Sequence, residues 1–229
     1  MRFDVKTKTN FMKRNYSAVI AVVLVFVSFL TAVRLLSETV EEHYDNEVIV
    51  CLDAGHGGGS IGAVSADNTR YEKDDNLRLT LRVKEELEAL GVKTVLTRDE
   101  DTDVSLRERC KIANKKRCDL FVSIHRNSAT SGTGFEAWIS KKEKDNERQL
   151  AETMVTNLST LTGLPDRGVK NGYRDLTANN YYVNANTNMP SILLEVGFIS
   201  SDDDNKVFDE KFDEMAKEIA KVIYDSLEI

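Results

Sequence analysis

Short apolar runs alternate with longer amphipathic ones along most of this chain. The runs at 47–52 (EVIVCL), 92–97 (VKTVLT), 119–124 (DLFVSI), 134–139 (GFEAWI) and 191–196 (SILLEV) have the length and β-branched content of strands. The most apolar of them lack a polar alternation, which predicts burial on both faces, as in a parallel sheet covered by helices. Between them, 72–90 carries Leu77, Leu81, Leu87 and Leu90 at helical spacing, with Gly91 as a stop. Ser105 and Glu108 have capping-box spacing ahead of Cys110 and Ala113. Residues 143–161 align Leu150, Met154, Leu158 and Leu161, and 206–227 align Phe208, Phe212, Met215, Ile219, Val222 and Ile223. The grammar predicts an α/β fold: a single domain with a mostly parallel, twisted β-sheet flanked by α-helices.

The beginning of the chain follows another pattern. Eighteen residues, Tyr16 to Val33, carry no charge and are rich in Val, Ala, Leu and Phe. That is near the length of a bilayer-spanning helix and beyond the ~7–15 residues of a signal-peptide core. Lys13 and Arg14 precede the run, so the positive-inside rule places the N-terminus in the cytoplasm and the domain outside. The expected organisation is a basic cytoplasmic segment at 1–15, a transmembrane anchor at 16–33, a polar stalk at 34–46 and one catalytic domain at 47–229. An uncleaved, single-pass anchor in a cell membrane is the expected localising device.

Charge sharpens this division. The net charge is −7, yet residues 1–16 set five cations against Asp4 and carry +4, which leaves −11 on the remainder. So acidic a domain is not a nucleic-acid binder. Cys51, Cys110 and Cys118 are odd in number and lie in strand- or helix-like surroundings, which predicts buried free thiols rather than disulfides.

In an open α/β sheet, ligands bind beyond the carboxyl ends of the strands. The first run is followed by DAGHGG with His56, the third by His125, and the last ends at Glu195. Glu72 opens the first helix of the domain, where the helix dipole favours a carboxylate. Two imidazoles and a carboxylate with an open fourth position are a known catalytic zinc set, and a further carboxylate can move the proton of an attacking water. His56, Glu72 and His125 are thus candidate ligands for one zinc ion per chain, with Glu195 as candidate general base. Each residue alone also fits a loop, core or helix-start role, and spacing by itself does not decide between these readings. GGGSIG (57–62) matches a dinucleotide fingerprint, but no helix opens after it and Arg78 and Arg82 stand where an acid is expected. No G-x-S-x-G nucleophile elbow occurs.

These same segments carry a family resemblance. VIVCLDAGHGG, EKDDNLRLTLRVKEELEALG, SLRERCKIANKKRCDLFVSIHRNSA and MPSILLEVGFIS occur in this order between about 47 and 227, and resemble the motifs of the zinc-dependent N-acetylmuramoyl-L-alanine amidases. The resemblance implies hydrolysis of the amide between N-acetylmuramic acid and L-alanine in peptidoglycan, with zinc on His56, Glu72 and His125 and Glu195 as catalytic base. Its partners would be the glycan strand and stem peptide, with an activating protein that the sequence does not identify. Arg167, in a DRGVK segment like one of the family, and Asn127, beside His125, are candidate substrate contacts. Arg126 stands where the family usually has a small residue, which implies a cation at the cleft rim that alters substrate preference. No room is left for a long inserted plug helix between His125 and Glu195, and no wall-binding repeat is present. Small anchored members of this type include sporulation amidases. A zinc peptidase acting within the stem peptide, and an inactive wall-binding protein on the same fold, are the alternatives.

Overall fold

The computed structural model describes residues 20, 22–36, 47–144, 146–172 and 180–227. The chain divides into two units, Met1–Glu47 and Val48–Ile229. In the first, 22–36 form a helix (α1) whose residues are all exposed. Its hydroxyls turn inward: Ser28 Oγ donates to the Leu24 carbonyl at 2.8 Å and Thr31 Oγ1 to that of Ser28 at 2.9 Å. Among the described residues no helix is long and apolar enough to cross a membrane. The basic segment expected at 1–15, positions 16–19 and 21 of the expected anchor, and most of the expected stalk lie outside the described residues.

The second unit is an α/β domain. Its strands are β1 (Ile49–Ala54), β2 (Lys93–Leu96), β3 (Leu120–Asn127), β4 (Phe135–Ile139), β5 (Asp166–Asn171) and β6 (Ser191–Phe198). Its helices are α2 (Glu72–Ala89), α3 (Leu106–Lys116), α4 (Glu147–Thr162), α5 (Tyr182–Asn186), α6 (Asp202–Glu210) and α7 (Phe212–Ser226). The six strands form one sheet in the order β2-β1-β3-β6-β4-β5. Every neighbouring pair is parallel except β4 and β6, so the sheet is mixed.

Both faces are covered, as the unbroken apolar runs imply. Leu52, Val122, Ile124 and Leu194 pack with α2, α4 and α7 through Val83, Met154, Leu158 and Ile219. On the other face Cys51, Phe121 and Leu193 meet Cys110 and Ala113 of α3 and Val183 of α5. All three cysteines are free and buried, as expected. Burial pushes the Cys110 thiol up to about 11, which suits a packing role.

Several local expectations change. The buried stripe of α2 is Leu79, Val83 and Leu87 with Asp75, Asn76 and Thr80, whereas Leu90 is 45% exposed. Buried polar positions turn this helix away from the face its leucines suggest. The expected terminal helix is two, α6 and α7, broken at Lys211, and α6 starts earlier where Ser201 Oγ accepts from the Asp204 amide. Ser105 caps α3 as predicted, accepting from the Glu108 amide at 3.2 Å. Both β5, a polar edge strand, and the short α5 carry no apolar run that would predict them. β3 runs three residues beyond its expected end, so His125, Arg126 and Asn127 belong to a strand rather than a loop. That extension decides which way each side chain points.

Candidate metal site and cleft

At the carboxyl end of β1 the chain turns through Gly55, His56 and Gly57, with His56 at φ 62° and Gly57 at φ 130°. A left-handed backbone at a non-glycine residue is strained and needs support from its surroundings. Two buried arginines supply it. Arg98 donates to the carbonyls of Ala54 and Gly55 at 2.9 and 3.0 Å. Arg109 donates to those of Ala54 and His56, both at 2.6 Å, and to Asp53 Oδ1 at 2.7 Å. Burial pushes the Asp53 carboxyl up, but Arg109 and the Ser123 and Thr97 hydroxyls outweigh it and hold it below its ordinary range. Neither arginine carries a local signal in the sequence, because the carbonyls of this turn that they hold lie 43 or more residues away.

The turn delivers His56 to Glu72 at the start of α2. His56 Nδ1 lies 3.0 Å from Ser60 Oγ, and Nε2 lies 3.3 Å from Glu72 Oε2. Glu72 Oε1 lies 2.9 Å from His125 Nδ1, and the two imidazoles meet edge to face with centroids 5.1 Å apart. The three residues offer one ligand atom each within 4.8 Å of one another. Zinc bonds of ~2.0–2.2 Å to nitrogen and oxygen set tetrahedral ligand atoms about 3.3–3.6 Å apart, a spacing that a small inward shift of these side chains reaches. The donor set therefore fits a zinc ion.

The surroundings hold the carboxylate in place. Glu72 Oε2 accepts from the Ala63 amide at 2.8 Å, and Oε1 accepts from Asn76 Nδ2 and the Arg126 amide, each at 3.2 Å. Asn76 also reaches the Gly55 carbonyl, tying helix to turn, and it too escaped the sequence reading. Burial alone would raise the Glu72 pKa, but His125 and His56 outweigh it and hold the carboxyl well below the usual range. Burial pushes the His125 pKa down; the Glu72 carboxylate outweighs it and raises the net value. Close approach also requires two glycines. A Cβ on Gly55 would stand 2.2 Å from the His125 ring, and one on Gly62, at φ 70°, would stand 2.6 Å from Glu72 Oε2.

Glu195 is buried on β6, directly in register with His125 on one side and with Glu136 of β4 on the other. Glu136 is an unpredicted third carboxylate at this sheet end. It receives Trp138 Nε1 at 3.1 Å, Arg167 Nε at 3.0 Å and Lys170 Nζ at 2.5 Å. Burial raises its pKa, but Lys170 and Arg167 prevail and keep it low.

Two cavities flank this row. One of about 650 Å³ is lined by His56, His125, Leu106, Tyr181 and Tyr182. The other, of about 320 Å³, is lined by Asn127, Glu136, Arg167, Lys170 and Phe198. Asn127 and Arg167 thus share one hollow next to Glu195. Arg126 does not reach the cleft, which corrects the expectation of a rim cation. Successive strand residues face opposite ways, so beside an inward His125 its side chain passes to the α2 face. There it is buried, with Nη1 2.5 Å from Asp75 Oδ2, Nη2 2.7 Å from Asn205 Oδ1 and its guanidinium 4.1 Å above the Phe208 ring.

One end of a mixed α/β sheet thus carries a His-Glu-His cluster that could hold a metal ion, with a buried carboxylate beside it. Comparison with known proteins makes this specific. The profile of Amidase_3, N-acetylmuramoyl-L-alanine amidase, matches residues 50–228, and the chain belongs to this enzyme family. It is 38% identical over 170 residues to the uncharacterized protein YqiI of Bacillus subtilis, covering 73% of this chain and 78% of that one. It is 35% identical over 175 residues to the N-acetylmuramoyl-L-alanine amidase LytC of Bacillus subtilis, covering 74% of this chain but only 34% of LytC. Among solved structures, an N-acetylmuramoyl-L-alanine amidase from Clostridium difficile 630 aligns with TM-score 0.72 and 33% identity, over 80% of this chain and 97% of that one. The CwlD amidase from Clostridioides difficile, solved in complex with the GerS lipoprotein, aligns with TM-score 0.67 and 29% identity, over 78% and 95% of the two chains.

Proposed function

We propose that this chain is a zinc-dependent amidase that hydrolyses the bond between N-acetylmuramic acid and L-alanine in peptidoglycan, with Glu195 as general base. The observation that carries this reading is the register of Glu195 with His125, beside a His56–Glu72–His125 cluster that could hold a metal ion. His56, Glu72 and His125 would hold the ion, which when bound would polarise the scissile carbonyl and lower the pKa of a water at the open position. Glu195 then takes the proton of the attacking water and returns it to the departing L-alanine amine. Its burial between β3 and β4 fixes its position. Asn127 and Arg167 are the proposed substrate contacts.

The reading extends to the setting. An uncharged run at 16–33 behind Lys13 and Arg14 supports a single-pass anchor that holds the 47–229 domain outside the cell membrane. The likeness to CwlD, solved in complex with a lipoprotein, supports an activating protein partner. The deciding experiment digests purified peptidoglycan with the full chain, measures bound zinc and identifies the new ends. A free L-alanine amino group with about one zinc per chain is the expected result. New ends within the stem peptide would make the chain a peptidase, and undigested wall would make it a binding protein.

A further inference from the structure

The sheet edge reads as a line of functional groups: the His56 turn after β1, His125 on β3, Glu195 on β6, Glu136 on β4, then Arg167 and Lys170 on β5. The last three lie beyond the catalytic centre and form a pocket with two cations around one carboxylate. Both cations meet the same oxygen, Glu136 Oε2, at 3.0 and 2.5 Å. A guanidinium has five N–H donors and an ammonium three, more than one carboxylate oxygen accepts. Their side chains remain 38% and 36% exposed, whereas that of Glu136 is 3% exposed. The carboxylate is thus the floor of the pocket and the cations its open wall. Two half-exposed cations on one wall stand out in a domain whose own balance is strongly acidic.

We infer that this pocket binds the free carboxylate on the second residue of the stem peptide. The inference rests on the amidase reading above and names a subsite for it. In a stem peptide that continues through the side chain of its second residue, a D-glutamate, that residue keeps its own α-carboxylate. The chain from the L-alanine nitrogen to this carboxylate is short, with a reach of about 6 Å given Cα atoms 3.8 Å apart. Adjacent strands are about 4.8 Å apart, so Glu136 lies one spacing from Glu195 and β5 about two. An amide nitrogen at Glu195 therefore places the carboxylate over β4, where Arg167 and Lys170 converge. Phe198, 4.9 Å beneath the Arg167 guanidinium, and Trp138, 5.4 Å from Lys170 Nζ, keep the two cations in place. The sugar then extends the other way, into the larger cavity beside Tyr181 and Tyr182.

Two synthetic substrates test this, N-acetylmuramyl-L-alanyl-D-isoglutamate and its carboxamide analogue, D-isoglutamine. The zinc-loaded full chain should cut the carboxylate form with a KM at least about tenfold lower, the effect of one charge-assisted contact. The doubly substituted R167Q/K170Q chain should lose that preference while retaining its bound zinc. Calorimetry with the released dipeptide gives a second measure on the unmodified chain: L-alanyl-D-isoglutamate should bind at least about tenfold more tightly than its amide. Equal KM and equal binding for the two forms would overturn the subsite and leave the amidase reading intact. Failure to cut either substrate, or any longer muropeptide, would overturn both.

Discussion

Glu195 stands beside His125 as its direct partner in the β3–β6 pairing, so a backbone ladder fixes the distance between the candidate base and a candidate ligand. Strand-borne groups are held more precisely than loop-borne ones. Replacement of Glu195 by Gln preserves shape and burial while removing the proton acceptor. Zinc content should be unchanged in E195Q, and the rate of L-alanine release should fall by about 10²–10⁴, the usual range for one acid–base group. Metal analysis and a new-amine assay on the same sample check both halves. A variant that retains the full rate would remove Glu195 from the mechanism.

The pairing of Gly62 with Glu72 gives a second test away from any ligand atom. A methyl group at Gly62 would meet Glu72 Oε2 at 2.6 Å on a backbone already at φ 70°. Gly62→Ala should move the carboxylate and weaken zinc affinity by about 10–100-fold, as loss of a ligand's supporting contact usually does. A competition titration with a zinc chelator measures this directly. Unchanged affinity would show that the turn at Gly62 yields without disturbing Glu72.

The strand-end logic was legible in the sequence because it rests on residues that follow apolar runs. His56, Glu72, His125 and Glu195 are brought to one end of the sheet from four separate segments. What was not legible is equally physical. β5 presents a largely polar sequence, DRGVKN, because an edge strand covers little core, so the Arg167–Lys170 wall had no element to place it on. Arg98, Arg109 and Asn76 act through carbonyls distant in the chain, which no spacing rule reports. Arg126 was misplaced for a simpler reason. With β3 ended at residue 124, the alternation that turns residue 126 away from residue 125 was lost.

The corrected position of Arg126 has a consequence for stability. Arg126 is 2% exposed, and its guanidinium pairs with the Asp75 carboxylate, also buried, from the adjacent helix. Arg126→Ala would leave Asp75 with one of its cations, Arg70, and open a void above Phe208. The expected loss is about 3–5 kcal/mol, the usual cost of breaking a buried pair. Urea unfolding measures it. Stem-peptide preference, compared on the carboxylate and carboxamide substrates at low temperature, should not change. A shifted preference with little loss of stability would restore the cleft-rim reading.

Asp53 provides a test that depends on pH. Its carboxyl is fully buried between Arg109, Ser123 and Thr97, and the net effect depresses its folded pKa below the ordinary 3.8. A group with a depressed folded pKa stabilises the native state most above its unfolded pKa, and loses that contribution as pH falls toward the folded value. Asp53→Asn should therefore destabilise the domain by about 3 kcal/mol at neutral pH, since Arg109 is left buried without its counter-charge. The difference between wild type and variant should narrow as pH drops below about 4. Because Arg109 also holds the His56 carbonyl at 2.6 Å, zinc affinity of D53N should weaken at neutral pH as well. Denaturant unfolding of both proteins from pH 3 to 8 reads the first effect and chelator competition at pH 7 the second. A stability gap that stays constant down to pH 3 would mean that the Asp53 charge is not what holds the metal-site turn.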